Sequence, residues 1–524
     1  MTVSRRHRAA GAAGALLAAG AGLGLGELTA ALVGGTSPVV GVGTQLIDRA
    51  PGPAKDWAVK NLGTADKPIL VGTVLAAVAG YALITGAIGV SRRRVALGMT
   101  VVLGALAIAA AATGRSLADS TVTRLLPGIV TLVVATAGVG LVLRMLRPAA
   151  RSRGRSPDEW SDRTDAPAGF DRRRFLATTM AFGAAGAAGL AGSLLTGGGV
   201  DDSARRAIRI PRPGSPAPAL PAGVAADVPG VSSFVTPNRT FYRVDTLLTV
   251  PRVDPRSWRL RVHGLVDREL NLSFGDLLDR RLVERDITLT CVSNEVGGPY
   301  VGNARWIGVP IAEILREAGV RAGSDADAVK STSVDGLTIG TPLAALTDGR
   351  DALFAVAMNN EPLPFDHGFP VRMVVPGLYG YVSATKWIVD FEVTRFADFT
   401  AYWTERDWAE EAPIKTSSRI DVPKAFARIK AGRAVAAGVA WAQHRGISKV
   451  DVQVDDGPWQ PATLAAEASI DTWRQWTFRW DATPGTHKLT VRATDRDGQV
   501  QTADRARPRP NGSSGWHNVV VMVE

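Results

Sequence analysis

The apolar positions fall into two regimes that change near residue 200. Before it they form long, nearly unbroken runs, Ala9 to Val33, Pro68 to Val90, Val95 to Thr113, Leu125 to Leu146 and Phe175 to Thr196, each rich in Ala, Gly, Val and Leu. A helix needs about twenty such residues to cross a bilayer. The pattern therefore predicts a transmembrane helical bundle of about five spans over residues 1–198, in which small residues let neighbours approach closely. Glu27 interrupts the first run, whose basic start also fits a signal peptide; the four runs that follow favour a retained helix. Residues 199–230 are dense in proline and carry Arg205, Arg206, Arg209 and Arg212, the composition of an extended linker.

Beyond that segment the apolar runs become short. Over residues 231–412, strand-like runs at Trp258 to Val262, Ile287 to Leu289 and Ile388 to Val393 mix with short helical patterns at Phe274 to Leu282, Ile311 to Ala318 and Pro342 to Leu346. This mixture predicts an α+β domain, since a doubly wound parallel sheet would place longer helices between its strands. Over residues 413–524 the period becomes two, at Ala434 to Ala442, Lys449 to Val454, Trp473 to Trp480, His487 to Ala493 and Trp516 to Val523, with Gly and Pro turns between. Five short strands in about a hundred residues predict an immunoglobulin-like β-sandwich.

Charge adds topology to this picture. The formal net charge is +11, yet the arginines gather beside the apolar runs instead of forming a basic face with interleaved aromatics, so nucleic acid is not the expected partner. Arg5, Arg6 and Arg8 precede the first run, Arg92 to Arg94 fill the turn after the second, and a dense basic segment from Arg144 to Arg174 separates the fourth from the fifth. The positive-inside rule then puts the N-terminus in the cytoplasm of a multi-pass plasma-membrane protein and everything beyond Asp201 outside. Asp171-Arg172-Arg173-Arg174-Phe175-Leu176 resembles a twin-arginine export signal, a route that carries folded proteins. No span contains a histidine, so the bundle cannot hold a haem between paired histidines of its own.

The chain has one cysteine, Cys291, which excludes an intramolecular disulfide and every multi-cysteine metal motif. It ends an alternating run and opens a polar, glycine-rich turn in Ile287 to Pro310, ITLTCVSNEVGGPYVGNARWIGVP. A side chain in that place is rigid yet open to a ligand, and we read it as a metal-binding thiolate. No G-x-G-x-x-G follows a strand and no phosphate-binding P-loop occurs, so nucleotide readings lack support.

Around that cysteine the residues resemble a family. Thr290-Cys291-Val292-Ser293-Asn294, Ala304-Arg305-Trp306-Ile307-Gly308, Asp366-His367-Gly368-Phe369-Pro370-Val371-Arg372 and Lys386-Trp387-Ile388 are similar to motifs of the sulfite oxidase family of molybdopterin enzymes, in the family's order. The tail Asn511-Gly512-Ser513-Ser514-Gly515-Trp516-His517 resembles the end of that family's C-terminal, dimerisation-type domain. The resemblance implies a molybdenum-molybdopterin cofactor with Cys291 as the protein ligand of the metal. It implies cofactor contacts from Asn238, Tyr242, Arg243, Asn294, Ser333, His367, Arg372, Ser383 and Lys386, with the two last cations suited to a phosphate.

The chemistry implied is oxygen-atom transfer to or from a small sulfur-containing, sulfite-like oxo-substrate, with Arg305 as an anion contact. Sulfite-oxidising members carry arginine after the Cys-x-x-Asn motif and a tyrosine at the position of Leu337; here Glu295 follows the motif and sets a negative charge four residues from the ligand. Reduction of a sulfoxide or N-oxide is the alternative reaction, and a membrane receptor that has lost its metal is the non-enzymatic one. The sequence has no haem-attachment motif and no iron-sulfur cysteines, so an unidentified cytochrome or quinone-linked partner is expected to carry electrons, and the C-terminal domain suggests a homodimer.

Overall fold

The computed structural model describes residues 4–51, 54, 57–58, 61–62, 65–115, 120–146, 172–196, 201–320 and 323–524. Most of the basic segment before the fifth run, Asp171 of the twin-arginine-like motif and positions 199–200 of the expected linker lie outside these residues. The chain divides into two compact units, Met1–Gly198 with Thr246–Val250, and Gly199–Asp245 with Pro251–Glu524.

The first unit is helical: α1 (Arg5–Val33), α2 (Pro38–Arg49), α3 (Asp66–Gly89), α4 (Arg93–Thr113), α5 (Thr121–Met145) and α6 (Arg172–Thr196). All but α2 contain a stretch long and apolar enough to cross a membrane. Helix α1 packs against α3, α5 and α6 through glycine. A Cβ placed on Gly24 would lie 2.3 Å from the Gly186 carbonyl oxygen, and one on Gly86 would lie 2.1 Å from that of Gly11. Backbone meets backbone at these crossings, which only glycine permits. Glu27, the interruption in the first run, turns its carboxylate to the start of α2 and accepts from Ser37 Oγ at 2.7 Å and the Val39 N–H at 3.3 Å. The charge serves as a second cap for a helix N-terminus.

The second unit opens with α7 (Asp202–Ala207), whose Arg205 is buried against Asp202, Glu361 and the carbonyls of Pro362 and Leu363. The proline-rich chain after it is no free spacer. Gly214 N–H donates to Leu282 O at 2.8 Å, Glu284 N–H to Ser215 O at 2.9 Å and Ala217 N–H to the Glu284 carboxylate at 3.0 Å. A chain short of N–H donors can still lie along one sheet edge, and this one straps the rim of the strand that carries the cysteine.

Two five-stranded sheets form the first layer pair. One has the order β3 (Val283–Thr290), β4 (Val301–Pro310), β7 (Leu353–Met358), β8 (Glu361–Pro362), with β9 (Arg372–Val374) also on β7. The other runs β2 (Leu270–Ser273), β1 (Arg259–Gly264), β10 (Ile388–Thr394), β5 (Ala328–Ser333), β6 (Thr338–Pro342), antiparallel except for β1 with β10. Helices α8 (Phe274–Leu278), α9 (Ile311–Ala318) and α10 (Ala344–Thr347) cover them, so the α+β expectation matches. Helix α8 stops four residues short of the expected Leu282 because Val283 enters the β3 ladder opposite Gly308. Leu260, Leu277, Ile311, Phe354 and Phe391 fill one continuous core.

The last part holds two more sheets, β11 (Ser417–Val422), β13 (Gly432–Trp441), β17 (Arg474–Ala482), β16 (Thr463–Leu464), and β12 (Arg428–Ile429), β19 (His517–Val523), β18 (Gly485–Asp495), β14 (Ile447–Val454), β15 (Gln460–Pro461). Inward side chains of both, Ile420, Trp476 and Phe478 from one and Val450, Leu489, Val491 and Val519 from the other, share one core. Each large side chain buried there contributes about 1.5–3 kcal/mol, while Val439, Trp441 and Trp473 join the core of the preceding sheets.

Candidate active site

Strand β3 runs into Cys291, and antiparallel β4 returns from Tyr300 and Val301 opposite it. Three hydrogen bonds close the loop between them: Cys291 N–H to Tyr300 O at 2.9 Å, Asn294 N–H to Cys291 O at 3.0 Å and Tyr300 N–H to Asn294 Oδ1 at 2.8 Å. Cys291 is 8% exposed, and its Sγ meets Ser293, through the N–H at 3.4 Å and through the hydroxyl. Burial pushes the thiol pKa up. A thiolate in this place therefore requires a cation beside it, as a bound metal would provide.

Tyr242, which feels both Cys291 and Arg372, links the cysteine to a basic cradle. Arg372, at the start of β9, and Lys386 are partners across an isolated antiparallel bridge. Arg372 is 5% exposed, stacks at 5.2 Å over Trp306 and donates to the carbonyls of Met373 (3.2 Å) and His367 (3.3 Å). Among the described residues no carboxylate pairs with it, and burial lowers its pKa to about 10. Lys386 Nζ contacts Asp245 Oδ2 and Asp366 O, both at 3.1 Å, and burial brings its pKa down to about 8. Buried cations are seldom left without an acid, and a site that keeps one is shaped for an anion.

The other expected residues divide. His367 Nε2 donates to Asn238 O at 2.9 Å, so in the neutral ring Nδ1 is the free acceptor; burial holds its pKa at about 4. Ser333 Oγ is buried with no hydrogen-bond partner. Tyr242 packs on Phe241 and Tyr300, with its pKa raised by burial and by the nearby cysteine. Arg243 binds Asp245 at 2.7 Å and Asp366 at 3.0 Å.

Four side chains are committed elsewhere. Asn238 donates to Met358 O and Glu361 and accepts from Asn359, so its backbone carbonyl, not its amide, faces His367. Ser383 Oγ donates to Leu378 O and Tyr379 O. Glu295 is exposed to solvent. Arg305 makes a two-pronged pair with Asp286, at 3.0 and 2.7 Å, its direct cross-strand partner. The ladder sets that pair four rungs from Thr290–Val301, roughly 13 Å along the strands. The guanidinium expected to meet substrate is thus held away from the cysteine end of the hairpin.

Sequence reasoning passed over Asp245, the carboxylate that joins Arg243 to Lys386, and Tyr379, whose pKa burial pushes up to about 12 with the Cys291 thiol nearby. Asp245 follows the NRTFYR segment at two residues' distance, and that spacing was the available signal.

These residues fit a metal carried by an anionic, chelating cofactor. No group of three or more His, Cys, Asp or Glu able to hold a metal occurs among the described residues, so a single thiolate needs most of the coordination from the cofactor itself. The unpaired Arg372, the orphaned Ser333 hydroxyl and the free Nδ1 of His367 are the polar complements such a group requires.

Residues 247–403 match the oxidoreductase molybdopterin binding domain, a span that includes Cys291, Ser333, His367, Arg372 and Lys386. The mitochondrial sulfite oxidase of Mus musculus is 31% identical over 343 residues, 55% of this chain and 62% of that protein. The sulfite oxidase of Gallus gallus is 29% identical over 338 residues, 54% of this chain and 72% of its own. Among solved structures, the sulfane dehydrogenase SoxCD of Paracoccus pantotrophus aligns over 56% of this chain and 84% of its own, at 23% identity and a TM-score of 0.49. The chain spans 62% of the length of the mouse relative. On the domain match and these relatives, the chain carries an oxidoreductase molybdopterin binding domain and is similar to sulfite oxidases over a little more than half its length.

Proposed function

We propose that the protein is a membrane-anchored molybdenum-molybdopterin oxidoreductase that transfers an oxygen atom to or from a small sulfur-containing, sulfite-like substrate. The observation that carries this reading is the buried lone Cys291 set in the same site as an acid-free Arg372. Cys291 Sγ binds the metal; Arg372 and Lys386 hold the phosphate end of the cofactor; Ser333 Oγ and His367 Nδ1 bond its polar edge. When bound, the molybdenum centre supplies the oxygen acceptor or donor and takes up or releases the electron pair. The proton stays on His367 Nε2, which donates it to the Asn238 carbonyl, so the ring orients without changing charge.

The five spans anchor the chain with its N-terminus inside and its catalytic part outside, and the twin-arginine-like motif fits export after cofactor loading. An unidentified cytochrome or quinone-linked protein exchanges electrons with the site. The C-terminal sandwich is immunoglobulin-like and supports a homodimer. A second reaction, reduction of a neutral sulfoxide or N-oxide, is favoured by one observation: Arg305 is already neutralised by Asp286.

Full-length protein from a cofactor-competent host tests this. About one molybdenum per chain is expected, with turnover of sulfite or of a sulfoxide in a panel run against artificial electron carriers. Cys291→Ser is expected to lose that turnover with a melting temperature within a few degrees of the parent. A chain without molybdenum would return the receptor reading, and full turnover by Cys291→Ser would remove the ligand assignment.

A further inference from the structure

The tail motif Asn511 to His517 belongs to the C-terminal sandwich in sequence, yet two of its residues reach the cysteine loop and a third reaches Tyr379. Ser513, 8% exposed, donates its Oγ to Asn294 O at 2.6 Å. Gly512 sits at φ +93°, where a Cβ would lie 2.5 Å from Tyr379 Oη, so only glycine lets the tail approach that ring. His517 lies over Gly297, where a Cβ would fall 2.2 Å from the imidazole, and its Nδ1 accepts Ile420 N–H at 3.0 Å. From β11, Arg419 Nη1 donates to Gly298 O at 2.8 Å while Asp421 and Ser232 fix the rest of its fork.

The strand behind the cysteine is held from the same side. Gln443 Nε2 donates to Thr288 O and Thr290 Oγ1, both at 3.0 Å, and Trp473 N–H donates to Thr288 Oγ1 at 2.8 Å. The carbonyls of Asn294 and Gly298 thus find their donors on the sandwich, and the turn between them is wedged by His517. A ten-residue glycine-containing loop with only its internal bonds would sample other conformations; the contacts from Ser513, His517 and Arg419 fix one.

We infer that the C-terminal sandwich is a positioning element of the metal site, with Ser513 as its latch, holding loop 291–298 so that Cys291 Sγ keeps one direction. This rests on the reading of Cys291 as the metal ligand, but its test does not. Because Cys291 is the only thiol, its alkylation rate in full-length protein from a cofactor-deficient host reports the loop directly. Ser513→Ala is expected to raise that rate at least tenfold. Gly297→Ala, which displaces His517 from the opposite side, is expected to do the same.

Val521→Ala, a cavity in the sandwich core opposite His487 and four residues beyond His517 along β19, serves as the control for lost stability. It is expected to lower the melting temperature at least as much as Ser513→Ala and to leave the rate within twofold of the parent. In the loaded protein, Ser513→Ala is expected to shift the Mo(V) electron paramagnetic resonance g-values at unchanged molybdenum content. A Ser513→Ala rate within twofold of the parent, or a Val521→Ala rate that rises equally, would overturn the latch. A chain that binds no molybdenum but shows the tenfold change keeps the latch and loses only the metal reading.

Discussion

Arg372 and Lys386 face each other across one antiparallel bridge, with Gly368 wedged beside both: a Cβ there would lie 3.0 Å from Lys386 Cβ and 3.1 Å from Arg372 Cβ. Like charges directly opposite on paired strands repel, and here only Lys386 has an acid, Asp245. The arrangement is unfavourable by itself and becomes favourable with an anion between the two.

That asymmetry predicts opposite signs for one substitution. Arg372→Met removes an uncompensated buried charge, so the cofactor-free protein is expected to be as stable as the parent or more so in urea. Loaded protein is expected to retain at least tenfold less molybdenum, the loss of one charge-assisted contact worth about 1.5–3 kcal/mol. Metal analysis beside a denaturation curve reads both.

Lys386 makes cofactor-free stability depend on pH in a defined window. Its folded pKa of about 8 lies below the ordinary 10.5, so between these values the unfolded chain holds a proton that the folded chain lacks. Stability therefore rises as pH increases from 8 towards 10.5 and is lost on the way back. Lys386→Met is expected to flatten that slope, and so is a bound phosphate, which raises the folded pKa. Urea midpoints at half-unit pH steps measure it.

Acid acts through two other buried bases. His367 and His517 both have pKa values held at about 4 by burial, below the usual 6.5. Between 4 and 6.5 the unfolded chain binds up to two more protons than the folded one, so stability falls as pH drops through that interval. His517→Gln is expected to reduce the limiting slope by one proton while the pH-rate profile keeps its shape.

Arg305 separates structure from substrate binding. Its pair with Asp286 is part-buried and two-pronged, so Arg305→Ala is expected to cost about 1–3 kcal/mol of stability through the stranded carboxylate. KM for an anionic substrate is expected to move less than threefold. A tenfold rise in KM at unchanged melting temperature would return Arg305 to the substrate.

What could be read from the residues followed from local patterns. The five spans, helix α9 and strands β13, β14, β17 and β18 are legible because their apolar periods are long and regular. Strand β7, LFAVAM, is buried on both faces and carries no period, and β11, SSRIDV, owes its pairing to β13. Cys291 stood out as the single cysteine of the sequence, whereas Arg372 entered only through the resemblance of its motif. Arg305 was misplaced because Asp286 becomes its partner only through hairpin register. The proline-rich strap looked free because its acceptors, Leu282 and the Glu284 carboxylate, lie some seventy residues on.

The latch also dictates an order of events during synthesis. Ser513 closes on Asn294 across a separation of 219 residues, and Gln475 takes the Ser232 carbonyl across 243. Contacts this distant form only after nearly the whole chain has left the ribosome, and their loop-closure entropy is met last. The loop that bears the cysteine thus gains its last bonds only once residues 475 and 513 have folded back onto the earlier chain, so a fragment that stops short of them presents a looser thiol.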